Sequence, residues 1–184
     1  IKETSIDTIK LFKNKNIKTI MLTGDNINNA NYVKEMVGID EVIAEVLPDE
    51  KGNVIKELKD KHKVLMIGDG INDAVALQSA DIAMAIGSGS DIAIESANII
   101  LTNNDIYQSY TAYELSLKTI KNIKLSLFWA FFYNIICIPI ACGILYPFFE
   151  IKFNPMLASI AMSLSSVCVV LNAIRLFRFK INKK

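Results

Sequence analysis

Little in this sequence ties it to a charged polymer or to a disulfide scaffold. Its 20 Lys and Arg against 19 Asp and Glu leave a net charge of +1, which gives no case for a nucleic-acid partner. The three cysteines, Cys137, Cys142 and Cys168, all fall in apolar sequence. An odd number so placed is not a disulfide framework. The single histidine, His62, lies in a lysine-rich helix-to-strand turn and reads as solvated. The opening residues have neither a methionine nor the basic and apolar regions of a secretory signal, so the chain reads as a piece of something longer. The most informative absence is of charge. Between Leu125 and Ile174 only Glu150 and Lys152 are charged, whereas the first part is rich in Lys, Asp and Glu. A soluble half is followed by a lipid-like half.

The soluble half alternates short apolar runs with amphipathic stretches. Ile6, Ile9, Leu11 and Phe12 recur at helical spacing, and "IKTIMLTG" then reads as a strand ending in a turn. "NINNANYVKEMVG" reads as a helix stopped by Gly38 in a left-handed cap. "EVIAEV" is a strand. "PDEKGNVIKELKDK" is a helix with acids first and lysines last, as the helix dipole favours. "KVLMIG", "DIAMAI" and "NIIL" are further strands, separated by short helices in "INDAVALQSA" and "SGSDIAIESA". This alternation implies a parallel sheet covered on both faces. Ligands of such sheets bind outside the carboxyl ends of the strands, where Thr23-Gly24-Asp25 and Gly68-Asp69-Gly70 both fall.

A helix over about 105–124, carrying Lys118, Lys121 and Lys124, leads out of this region. Two apolar spans follow, at about 125–146 and 155–174, each of roughly the 20 residues needed to cross a bilayer. The turn between them, "YPFFEIKFNP", has aromatics suited to the interface. Cationic residues flank the outer ends of the pair, including the basic tail at 175–184, so both ends are expected to be cytoplasmic. Membrane lipid is the implied surrounding. A soluble helical pair is the alternative, but soluble helices are rarely apolar all round for this length.

Carboxylates at a strand end, separated by glycine, can hold Mg2+, a hard cation that takes oxygen ligands. The glycines let backbone N–H groups approach a phosphate. Thr23 adds a hydroxyl and Lys51 a positive charge, both suited to phosphoryl oxygens. Together these are the ingredients of phosphoryl transfer. The competing reading is that Asp25 and Asp69 merely cap helices. It would suffice for "TGDN" alone, but not for "TGDN", "PDEK" and "GDGIND" at successive strand ends.

"MLTGDN", "LPDEK" and "GDGINDAVAL" resemble the hinge and phosphorylation-domain signatures of P-type ATPases, whose phosphorylation domain has a haloacid-dehalogenase-like α/β fold. The resemblance implies a partial phosphorylation domain over 1–104. The GDGxND element also occurs in soluble phosphatases of that superfamily. Its extension through Ala74 and Leu77, and the apolar pair after it, make the P-type resemblance the stronger. One departure is Val75, where the family has proline; a mild local effect is expected. The resemblance implies that Asp69 ligates Mg2+, supported by Asp73 and Asn72. It implies that Thr23 and Gly24 contact an aspartyl-phosphate, that Lys51 neutralises its charge, and that Asp25 orders the loop near the nucleotide, ATP. The phosphorylated aspartate belongs to a DKTG motif, which does not occur here, so this chain alone is not expected to hydrolyse ATP.

Polar groups within apolar spans are functional candidates. Met162 and Ser166 are i, i+4 neighbours on one helix face, and a thioether is a soft ligand suited to Cu(I). Helix packing by small residues is the competing reading. The pairing of Tyr133-Asn134 with Met162-x-x-Ser165-Ser166 resembles the last two membrane helices of the copper-transporting, heavy-metal class (type IB). In that class Tyr133, Asn134, Met162 and Ser166 correspond to transport-site residues. The class also uses a Cys-Pro-Cys pair, which is absent here. The resemblance implies ATP-driven Cu(I) export across a bacterial cell membrane, with Ag(I) as another cargo and a copper chaperone as a partner. Other pumps (zinc, cadmium, lead, potassium or calcium) and a membrane-tethered phosphatase remain alternatives. Cys137 reads as packing, and Cys142 and Cys168 carry no expected role.

Overall fold

The first amphipathic segment forms helix α1, Glu3–Lys13, which buries Thr8, Ile9 and Phe12. Phe12 meets Tyr110 edge-on, ring centroids 5.4 Å apart. The structure, a computed structural model, describes residues 1–69, 72–87, 95–141, 144 and 155–177. The chain divides into two units, Ile1–Ala112 and Tyr113–Lys184.

In the first unit the order after α1 is β1 (Ile20–Leu22), α2 (Ile27–Val37), β2 (Glu41–Ile43), α3 (Lys51–Lys59), β3 (Leu65–Gly68), α4 (Ala74–Ser79), β4 (Ile82–Ile86) and β5 (Ile99–Leu101). Every strand pairing among the described residues is parallel. The helix boundaries follow local chemistry. The Asn26 side chain accepts from the Asn29 backbone N–H at 2.9 Å, capping α2. Gly38 closes α2 with φ 81°, the left-handed stop expected of it. The segment "SGSDIAIESA" lies largely outside the described residues.

One expectation needs correction. The sequence reads as a single parallel sheet, but the described strands form two, β1-β2 and β3-β4-β5. β1 is hydrogen-bonded along one side to β2, and β3 along one side to β4; no ladder joins β1 to β3 among the described residues. Alternation of strands and helices fixes the parallel direction, but not which strands become neighbours.

The same device pins the β1-β2 and β3-β4 pairs at their starts. Asp40, just before β2, accepts from the Thr19 N–H at 2.9 Å and from its hydroxyl at 2.7 Å, and pairs with Lys13 at 2.8 Å. Asp81, just before β4, accepts from the Val64 N–H at 3.0 Å and from Lys63 at 3.1 Å. The Lys13 ammonium and the Thr19 donors hold the Asp40 carboxyl down at about 2. The Val64 N–H, and then Lys63, lower that of Asp81. Hydrogen bonds to the ionised form favour it.

The core gathers around α4 and β4, where Ala76, Leu77, Ala83, Met84 and Ala85 are buried. Helix α3 packs on α4 at close range. A Cβ placed on Gly52 would come within 2.7 Å of Val75 Cγ1, so with valine at position 75 only glycine fits at 52 without a shift.

The second unit holds most of helix α5 (Tyr107–Ala141), and helix α6 (Pro155–Phe177). Helix α5 has 35 residues, about 50 Å of rise. It runs unbroken through the point near Leu125 where the sequence turns apolar. Among the described residues one helix, Tyr107–Ile140, is long and apolar enough to cross a bilayer. The turn "YPFFEIKFN" lies outside the described residues apart from its neighbour Pro155.

Candidate functional site

Two expected residues, Lys51 and Asp73, meet in the first unit. The Lys51 ammonium, in the first turn of α3, donates to Asp73 Oδ1 at 2.7 Å, and the two side chains are only 13% and 16% exposed. Asp73 stands at the start of α4 without capping it, because its carboxylate is turned onto Lys51. The other oxygen packs on the backbone at the end of β3: a Cβ on Gly68 would lie 2.8 Å from Asp73 Oδ2. The glycine of the acidic turn therefore has a packing role. It lets a carboxylate lie flat against the strand end, where any side chain would displace it. "PDEK" and "GDGIND" thus meet at one point, 22 residues apart in sequence.

Asp69 follows Gly68 directly, is exposed, and has no hydrogen-bond or ion-pair partner among the described residues. Asn72 is exposed. Gly70 and Ile71, the centre of the motif, lie outside the described residues.

The second expected turn is built on β1. The Thr23 N–H donates to Ile43 O at 3.0 Å and the Val46 N–H donates to Thr23 O at 3.2 Å, so the strand pairing carries on into the turn. The Thr23 hydroxyl accepts from the Asp25 N–H at 3.1 Å and lies 3.2 Å from Asp25 Oδ2. Gly24 passes Val46 closely, with a built Cβ 3.4 Å from its carbonyl oxygen. Asp25 orders this loop and does not cap α2, which is the work of Asn26.

The donor set suits a hard divalent cation in part. Asp69 offers an uncommitted carboxylate, and Asp73 a carboxylate already balanced by Lys51. Mg2+ is held through one or two carboxylates, with waters and phosphate oxygens completing its shell. No group of three or more His, Cys, Asp or Glu is close enough to hold a metal among the described residues.

In the second unit the expected residues are dispersed. Tyr133 turns to α6 and its hydroxyl lies 3.7 Å from Cys168 Sγ. Asn134, Met162 and Ser166 are exposed on this chain, Met162 at 71%. The Ser166 hydroxyl donates back to Met162 O at 3.3 Å, so the i, i+4 relation holds. No described contact joins Tyr133 or Asn134 to Met162 or Ser166. Two contributors were missed in the sequence. One is Cys168, which partners Tyr133. The other is Asn172, 8% exposed, whose amide donates to Asn122 O at 3.1 Å and Ser126 Oγ at 2.8 Å. An asparagine inside an apolar helix was a signal for it.

Comparison with known proteins places these features. The haloacid dehalogenase-like hydrolase family matches residues 1–81. A zinc-transporting PIB-type ATPase solved in its E2·Pi state superposes with a TM-score of 0.83 at 30% identity, over 96% of this chain and 28% of that one. Along nearly its whole length the chain is similar to part of the P-type ATPases.

Within them its similarity is to the copper and silver exporters. It is 49% identical over 177 residues to the copper-transporting ATPase 1 of Rhizobium meliloti, covering 96% of this chain and 21% of that protein. It is 46% identical over all 184 residues to the silver exporting P-type ATPase of Salmonella typhimurium, 22% of that protein. The chain spans about a fifth of the length of these relatives.

Proposed function

We propose that this chain is a segment of an ATP-driven pump that exports copper(I) through an aspartyl-phosphate intermediate. In this reading the phosphorylated aspartate is supplied by sequence outside the chain. The observation that carries the reading is the Lys51–Asp73 pair at 2.7 Å against Gly68. It joins two separate motifs at the carboxyl end of a parallel strand, beside the free carboxylate of Asp69. The identity of 46–49% to copper and silver exporters along nearly the whole chain supports it.

Asp69 and Asp73 would hold Mg2+, which when bound offsets the charge of a phosphoryl group. Lys51 keeps a second cation at the same point. The Thr23 hydroxyl and the Gly24 backbone would face the phosphoryl oxygens, with Asp25 holding their turn through its N–H to Thr23. ATP is the phosphoryl donor and Asn72 a further polar contact. The edges of β1 and β3 that have no partner strand among the described residues end at Thr23 and Asp69, where a strand carrying a nucleophilic aspartate would complete both sites.

The region after Asp105 is the membrane part in this reading, with α5 and α6 as consecutive spans and both outer ends cytoplasmic. Tyr133, Asn134, Met162 and Ser166 are the cargo ligands, completed by groups from other helices on the side where Met162 and Ser166 are exposed. Sulfur favours a soft monovalent cation, and no Asp or Glu lies inside either span, which disfavours zinc or cadmium. Silver(I) is the second reading, favoured by the match to a silver exporter over the whole chain.

The test is phosphoenzyme formation by the pump containing this segment. Asp69→Ala is expected to abolish turnover at any Mg2+ concentration, and Met162→Leu to weaken activation by Cu(I) while leaving folding intact. Normal turnover of the first, or unchanged metal activation of the second, contradicts the corresponding assignment.

A further inference from the structure

The second unit carries a basic cluster that the transport reading does not use. From Leu115 to Lys184 the sequence holds nine Lys and Arg and one acid, Glu150. The Asn172 contacts to Asn122 and Ser126, and the Tyr133 contact to Cys168, fix α5 and α6 as an antiparallel pair, since residue numbers rise on one helix as they fall on the other. Lys121 precedes Asn122 by one residue and Arg175 follows Asn172 by three, which sets them at one level, within a turn of each other along the axis. On an antiparallel pair those two steps rotate both side chains to the same flank. Both are exposed, and neither has an ion pair among the described residues.

One turn further into the apolar stretch, on the same flank, lie Leu125 below Lys121 and Leu171 below Arg175, at 38% and 58% exposure. Two cations stand over an exposed aliphatic surface. That combination matches an amphiphile with an anionic head and an apolar tail, and a free anion would have no use for the leucines.

We propose that Lys121 and Arg175 bind the headgroup phosphate of an anionic phospholipid whose acyl chain lies on Leu125 and Leu171. Arg175 supplies a planar fork of donors to the phosphate oxygens and Lys121 a point charge. Asn172 sets the spacing by clamping the helices at that level. The proposal rests on the second unit being membrane-embedded, and the following experiment separates the two.

Trp129 is the single tryptophan and lies one turn beyond Leu125 on the same stripe, so it reports lipid on this flank. The chain is reconstituted into bilayers in which either phosphatidylglycerol or phosphatidylcholine carries brominated acyl chains, at equal mole fractions. Brominated phosphatidylglycerol is expected to quench Trp129 more strongly, with a local enrichment of about fivefold per basic residue. Lys121→Gln/Arg175→Gln should equalise the two lipids while keeping quenching by phosphatidylcholine and helical content. Lys56→Gln/Lys59→Gln, which removes the same charge from α3, should keep the preference. Equal quenching in the unaltered chain, a preference that survives Lys121→Gln/Arg175→Gln, or one abolished by inorganic phosphate at constant ionic strength overturns the proposal. Trp129 unquenched by either lipid overturns the membrane reading itself.

Discussion

Exchanging Lys51 for methionine and Asp73 for asparagine, singly and together, measures the pair on which the candidate site is built. The two charges are 2.7 Å apart, with side chains 13% and 16% exposed. They lie between two regimes. Exposed pairs couple by about 0.2–1 kcal/mol, and loss of one partner from a fully buried pair costs about 3–5 kcal/mol. Hydrogen bonds to charged groups contribute about 1.5–3 kcal/mol, so a coupling energy near 2 kcal/mol is expected here. Lys51→Met should be the more damaging single change, because it leaves Asp73 charged against the Gly68 backbone with no counter-ion. Asp73→Asn leaves a long cation free to reach solvent. Urea denaturation of the four proteins, followed by circular dichroism, gives the cycle. A coupling below about 0.5 kcal/mol would place the pair among exposed contacts and refute the claim that the two motifs are joined there.

Gly52→Ala should destabilise by about 1–3 kcal/mol despite the higher helix propensity of alanine, because the new methyl meets Val75 Cγ1. Adding Val75→Ala should recover most of that loss, and thermal melts of the three variants check it. Asp40, held at about 2 by Lys13 and Thr19, stabilises the fold above its ordinary range near 4, and that contribution fades as pH falls from about 4 to 2. Its size is about 1 kcal/mol after allowance for solvent screening. An acid titration of Asp40→Asn should be flatter over that interval, and an unchanged slope contradicts the stabilising role given to Asp40. Asn172→Ala removes both interhelical donors and should weaken helix pairing by about 1 kcal/mol, read as lower resistance to denaturing detergent.

Much of the first unit was legible because its signals are local. Gly38 stops α2 for a reason written into the residue itself, and each strand stands out as a short apolar run. The neighbour relations were less legible. β1 and β3 carry the two acidic turns yet sit in different sheets, since strand pairing depends on long-range contacts that local pattern does not encode. Lys51 and Asp73 were each identified by motif, but their direct contact, and the reason it requires glycine at 68, follow only from three-dimensional packing. In the second unit the apolar pattern marked out two helices, one of them long and apolar enough to cross a bilayer among the described residues. It concealed Asn172 and Cys168, because a few polar atoms barely alter a hydrophobic average while deciding how two helices register.

The claim that the acidic pocket drives a soft-cation pathway is tested most directly by transport. On the proposed function, sealed vesicles containing the protein that carries this segment should accumulate Cu(I) when given ATP and Mg2+, lose that accumulation with Asp69→Ala, and show it weakened with Met162→Leu. Uptake of Zn2+ with none of Cu(I), or Cu(I) uptake untouched by both substitutions, would contradict it.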